Sequence, residues 1–109
     1  MTTTNRFVLH LKIAIKDSTP EGLFTFLRKA VPYYESLGGV RVRLLRSLRD
    51  PCRFIEVIEY DDKETFDRDQ ERVNTDAQMK IFLSEWHELL DETVGVETYQ
   101  EITNDLRIR

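Results

Sequence analysis

Two side chains suited to proton transfer stand inside predicted β-strands. Glu56 interrupts the apolar run "RFIEVIEYDD", which spans residues 53–62, and His10 lies within the alternating stretch "RFVLHLKIAIK". A buried, unpaired carboxylate is costly, so we predict that Glu56 lies on the face of the sheet that points away from the helices. Histidine is the side chain whose ordinary pKa lies nearest neutrality, so His10 is the predicted catalytic residue, acting as a proton carrier.

The other candidate site residues supply either polar groups that folding alone explains poorly or an apolar wall beside them. We predict a pocket on the same sheet face as Glu56 and His10, with helix side chains closing it. The predicted ligand-binding residues are Arg43, Glu56, Tyr60, Phe82 and Trp86. Trp86 also fits the apolar stripe of a helix, for which core packing is the ordinary interpretation. Such a pocket suits a small, partly aromatic molecule.

The sequence predicts a site that uses no metal and no cofactor. The segment "WHELLDE" lacks the HExxH pattern of zinc enzymes, and the chain has two histidines. The single cysteine, Cys52, follows Pro51 in a predicted turn and has too little basic surrounding to be an activated nucleophile. The charged run "DRDQERVNTD" is expected to form a solvated helix face.

The pattern of the chain predicts the order strand, helix, strand, strand, helix, strand. The first strand alternates cleanly, and its odd-numbered apolar residues should lie under the helices. The second helical region would be about 43 Å long as one straight helix, so a break is expected at "VNTDA". The predicted elements are residues 6–16, 19–39, 40–48, 53–62, 62–91 and 94–102.

Helix boundaries follow from capping residues. Thr19 is the predicted N-cap of the first helix, with Pro20 at the first helical position. Pro32 should interrupt that helix with a kink or a restart. Asp62 is the predicted N-cap of the second helix, and Asp76 of the piece that follows its break.

This element order is the ferredoxin-like βαββαβ pattern, an α+β fold. We expect a four-stranded antiparallel sheet in the order 4-1-3-2, with two helices on one face. Residues 1–109 should form one domain, with a core of about 6–102 and a polar tail at 103–109. The uncovered face would combine cross-strand charge pairs with an apolar patch, which usually marks an interface. We therefore predict a homodimer whose interface residues are Val8, Phe54, Ile58 and Tyr60.

The βαββαβ plan is similar to that of the dimeric α/β-barrel superfamily, which includes antibiotic-biosynthesis-monooxygenase-like and NIPSNAP-like proteins. The stretch "RFIEVIEYDDKETFDRDQERV" carries the resemblance, since a strand ending in an acidic–aromatic pair runs straight into the second helix. The resemblance implies two sheets facing each other and a pocket between sheet and helices in each subunit. Some members are cofactor-independent monooxygenases. The Asn, Trp and His or Arg constellation of active members does not map here, because Asn5, Trp86 and His87 have a different spacing.

Composition limits the remaining functions. A net charge of -4 gives no electrostatic attraction to nucleic acid or to anionic membranes. The single cysteine and the absence of an apolar leader or membrane segment predict a cytoplasmic protein. Two interpretations stay open: a small-molecule binding or oxygenase-like dimer, and a non-catalytic dimerisation module. A monomeric RNA-binding domain is disfavoured by the acidic balance and by the lack of an aromatic stacking motif.

Overall fold

A computed structural model describes residues 6–16, 19–91 and 95–107. Asn5 and the predicted first residue of the last strand, Val94, lie outside these described residues. The elements are β1 (Phe7–Ala14), α1 (Glu21–Glu35), β2 (Val40–Arg46), β3 (Arg53–Tyr60), α2 (Lys63–Thr75), α3 (Ala77–Leu89), β4 (Gly95–Gln100) and a 3-10 turn (Thr103–Leu106).

The four strands form one antiparallel sheet in the order β2-β3-β1-β4. This confirms the predicted strand order, read from the opposite edge, and the predicted α+β ferredoxin-like class. The β1–β3 register pairs Leu9 with Ile58 and Leu11 with Glu56. Partners across a ladder share one face of the sheet, so these four residues lie on the same side.

The helices cover the face of β3 that carries Phe54, Ile58 and Tyr60. The Phe54 ring packs edge-on against a phenylalanine of α1, and Tyr60 packs against Phe66 of α2. Because side chains alternate along a strand, Glu56 also points beneath the helices, where it is 2 % exposed. The alternate residues Ile55, Val57 and Glu59 therefore face away.

This arrangement overturns the predicted face of β3. Glu56 lies opposite Leu11 and Leu44 in the ladders, and not opposite His10, Lys12 or an arginine. Of the predicted interface residues, only Val8 lies on the uncovered side, while Phe54, Ile58 and Tyr60 are buried under the helices. The physical reason is that the larger apolar side chains of β3 fill the core, and Glu56 enters the core with them.

A helix break occurs where it was predicted, between α2 and α3, whereas α1 is one continuous helix. The Asp62 carboxylate accepts from the Thr65 amide, and Asp76 accepts from the Met79 amide, so both predicted caps are confirmed. The first helix has Pro20, not Thr19, at its N-cap, so that predicted cap is wrong. The helix is continuous through Pro32, so the predicted restart does not occur. Within the described residues, no helix combines the length and apolar character needed to cross a membrane.

Candidate functional site

A cavity of about 260 Å³ lies between the sheet and helices α2 and α3. This size falls just below the usual range for small-molecule sites, about 300–1,000 Å³. Side chains of all four strands form its floor, and α2 contributes one face at helical spacing. The lining residues are Leu9, Leu11, Tyr34, Val40, Glu56, Ile58, Tyr60, Phe66, Asp69, Gln70, Val73, Met79, Leu83, Trp86, Val96 and Thr98.

The cavity opens towards β4. Every residue of β4 is exposed, including Val96 and Thr98, which line the cavity on the helix-facing side of the sheet. Gln70 and Leu83 on the facing helices are partly exposed. The β4 side of the cavity is therefore its exposed side, while the floor at Glu56 stays buried.

Glu56 is the most unusual side chain of the cavity. Burial raises the pKa of Glu56 to about 7 from an ordinary value of 4.5, and a hydrogen bond from the Trp86 indole opposes the shift. That contact is a weak one, because neither Glu56 Oε1 nor Trp86 Nε1 has a partner with good hydrogen-bond geometry among the described residues. A carboxyl group with a pKa near 7 can take and return a proton under neutral conditions.

A second carboxylate, Asp69, stands in the same cavity but is fully engaged. It accepts from the Tyr60 hydroxyl at 2.6 Å and from Arg72 at 3.0 Å. Burial, followed by the charge of Asp69, raises the pKa of Tyr60 well above its usual range. Arg72 also donates to the main-chain oxygens of Tyr33 and Tyr34, at 3.1 and 2.6 Å. This network fixes α2 to the end of α1 and holds Tyr60 in place on the cavity wall.

The structure brings together three of the predicted site residues and separates the others. Glu56, Tyr60 and Trp86 all line the cavity. Phe82 packs behind it, edge-on to the rings of Phe26 and Tyr34.

His10 and Arg43 project from the opposite face of the sheet, beside Glu97 and Val57. The predicted pocket uniting them with Glu56 is therefore wrong in its geometry. Alternation along β1 and β2 sends these two side chains away from the helices.

The sequence did not predict that Asp69 and other residues of α2 would line the cavity. Phe66, Asp69, Gln70 and Val73 follow the spacing i, i+3, i+4 and i+7, which places them on one helix face. The surrounding run of charges obscured that signal, because a charged segment normally faces solvent. Among the described residues, no group of three or more His, Cys, Asp and Glu side chains is arranged to hold a metal ion.

Solved structures with the same fold are numerous, whereas no family model and no curated protein matches the chain. One is a "Putative antibiotic biosynthesis monooxygenase" of Bordetella bronchiseptica, at 17% identity and TM-score 0.74, covering 91% of this chain and 99% of that one. Another is a variant of SnoaB, a cofactor-independent oxygenase of Streptomyces nogalater, at 11% identity and TM-score 0.74, covering 89% and 93%. A protein of Shewanella oneidensis reaches 24% identity and TM-score 0.69, covering 91% and 93%.

These comparisons confirm the resemblance at the level of the fold. Nearly the whole of each chain is aligned, so the likeness includes the sheet and the helices that enclose the cavity. At such low identity the fold is shared but an activity is not thereby transferred. The function must therefore be argued from the side chains of the cavity.

Proposed function

We propose that this protein binds a small, partly aromatic molecule in the cavity between sheet and helices, with Glu56 as the group that accepts a proton from it. The observation that carries the proposal is the Glu56 carboxyl, which is 2 % exposed on the floor of a largely apolar cavity and whose Oε1 has no well-formed hydrogen bond among the described residues. Apolar walls with a few convergent polar groups are typical of ligand sites. The rings of Tyr34, Phe66 and Trp86 supply contact surface for an aromatic ligand.

The same geometry supports oxidation of the bound molecule by dioxygen. Glu56 would remove a proton from an activated C–H bond, leaving an electron-rich carbanion in a largely apolar cavity. In a balanced monooxygenation, a methylene group becomes a carbonyl, one oxygen atom of O₂ enters the product and the other leaves as water. The substrate supplies all four electrons. The fold likeness to SnoaB, whose name describes a cofactor-independent oxygenase, favours this chemistry.

The test combines a ligand screen with a matched pair of variants. Aromatic and quinone-like compounds are screened by thermal shift, and those that bind are followed for oxygen consumption. Glu56→Gln should abolish turnover of a hit, because the amide cannot accept the proton. Glu59→Gln, on the same strand but the opposite face, should leave turnover unchanged. A screen without any binder, or full turnover by Glu56→Gln, would contradict the proposal and favour the non-catalytic module.

We further propose that the protein forms a homodimer through the uncovered face of the sheet. That face exposes Leu45 beside the partly buried Ile55, and it exposes Tyr99 beside Val8 at the other end of the strands. Its β2 edge carries Arg41 and Arg43, which pair with Glu59, and its β4 edge carries Glu97, which pairs with Lys12, so the charges of this face are compensated within the chain. A two-fold axis parallel to the strands would place the β2 edge of one copy over the β4 edge of the other.

Sedimentation velocity at micromolar concentration tests the dimer. Ile55→Asp places a charge in the proposed interface and should shift the protein towards monomer. Ile81→Asp is the matched control, since Ile81 is 53% exposed on α3 and lies outside that face. A monomeric wild type, or equal effects of the two substitutions, would refute this interface.

A further inference from the structure

The ionisable side chains that line this cavity are all acids. Among the described residues of its lining they are Glu56, Asp69, Tyr34 and Tyr60, with no lysine, arginine or histidine. Both tyrosine hydroxyls are neutral at neutral pH, because burial raises their pKa values well above the usual range. On the described wall, a ligand therefore meets two carboxyl groups and no positive charge.

The arginine that lies behind one of these carboxylates is already paired. Arg72 contacts Asp69 at 3.0 Å and donates to the main-chain oxygens of Tyr33 and Tyr34, at 3.1 and 2.6 Å. Its Nε has no partner among the described residues, but the side chain does not belong to the cavity lining. An anionic group in the cavity would thus lose its hydration without gaining a counter-charge, which is the costly way to bury an ion.

A positively charged group would find little more support. An ammonium group carries three donors. The oxygens of Asp69 accept from the Tyr60 hydroxyl at 2.6 Å and from Arg72 at 3.0 Å. Of the two lining carboxyls, Glu56 alone remains to pair with the ammonium group, and it is 2 % exposed. That pair would form at the expense of desolvating two charges.

We propose that the cavity selects an uncharged ligand and excludes carboxylates, phosphates and ammonium ions. This inference rests on the proposed binding function and narrows its ligand class. The apolar lining supplies most of the contact surface. Gln70, which lines the cavity and is partly exposed, can donate to or accept from an uncharged polar substituent through its amide. A ligand that carries a carboxyl group should bind in its protonated form.

Three probes with the same two-ring body and different charges separate the alternatives. They are 1-naphthamide, 1-naphthoate and 1-(aminomethyl)naphthalene, and their affinities are measured by calorimetry at pH 7. We expect the uncharged amide to bind at least about tenfold more tightly than either ion. Tightest binding of the amine would overturn the inference in favour of a cation site. If 1-naphthoate binds as tightly as the amide, the inference fails while the binding function stands, and if no probe binds, both fail.

The pH dependence of binding to the wild-type protein tests the same inference without a variant. A carboxyl group with a pKa of about 4 is protonated in about one molecule in a thousand at pH 7. If the neutral form alone is bound, the affinity for 1-naphthoate should rise about tenfold for each pH unit between 7 and 5. The affinity for 1-naphthamide should change much less. An affinity for 1-naphthoate that stays constant over this range would overturn the inference, because the anion itself would then be bound.

A positive charge added to the lining should admit the anion. Gln70→Arg places a guanidinium group on α2 at a partly exposed position of the cavity wall. It should tighten binding of 1-naphthoate about tenfold or more, as a charged hydrogen bond would, and leave 1-naphthamide nearly unchanged. Gln78→Arg is the matched control, since Gln78 is exposed on α3 and does not line the cavity. Equal effects of the two substitutions, or no effect of Gln70→Arg, would contradict the inference that a missing counter-charge excludes anions.

Discussion

Replacing Glu56 with Gln should change how stability depends on pH. In the unfolded chain the carboxyl titrates at its ordinary value of 4.5, whereas burial raises the pKa of Glu56 to about 7 in the folded protein. Below pH 4.5 the group is neutral in both states and carries no penalty. Between 4.5 and 7 the unfolded chain binds fewer protons than the folded one, so stability falls as pH rises. Above 7 both states are ionised and the penalty stays constant.

The magnitude follows from the same two pKa values. A separation from 4.5 to about 7 corresponds to roughly 3.5 kcal/mol at about 1.4 kcal/mol per pH unit. The assay is urea unfolding between pH 5 and 8, followed by the fluorescence of the buried Trp86. Wild type should lose roughly 2–3 kcal/mol relative to Glu56→Gln over this interval. Glu59→Gln should keep the wild-type slope, since it retains Glu56.

Parallel pH profiles of wild type and Glu56→Gln would refute this reasoning. They would mean that the folded protein accommodates the Glu56 charge as easily as water does, by a partner or by solvent in the cavity. Glu56 would then not be poised to exchange a proton near neutrality.

Two further substitutions test the polar anchors around the cavity by urea unfolding at pH 7. Asp69→Asn leaves the buried guanidinium of Arg72 without its counter-charge, and we expect a loss of about 3–5 kcal/mol; an unchanged midpoint would show that the pair is dispensable. Asp76→Ala removes the α3 cap and the acceptor of the Tyr33 hydroxyl, at a cost of about 1–2 kcal/mol. Its control is exposed Asp67→Ala, which should cost no more than about 0.5 kcal/mol.

The fold could be predicted because several local signals agree. Alternation in β1 identified its buried face, and the capping residues Asp62 and Asp76 located the starts of α2 and α3. The strand order followed from the βαββαβ element order. The helix-breaking tendency of Pro32 does not end α1, because packing of the helix on the sheet stabilises it on both sides of that residue.

The face of β3 could not be predicted from its carboxylates, because each face carries one. Phe54, Ile58 and Tyr60 share a face with Glu56, while Ile55 and Val57 share the other with Glu59. Whichever face of β3 is assigned to the core, one glutamate therefore points into the core with it. The aromatic residues were the better guide, since they bury more area than the β-branched residues of the other face.

The two carboxylates of the cavity differ in the partners that surround them. Asp69 is paired with Arg72 and accepts from Tyr60, so the fold uses both of its oxygens. Glu56 is buried to a similar extent, yet one of its oxygens has no well-formed hydrogen bond among the described residues. Its burial opposes folding at neutral pH, and a neutral side chain of similar size would fill the same space. Within one cavity, the environment therefore assigns Asp69 to holding α2 in place, and leaves Glu56 available to a ligand.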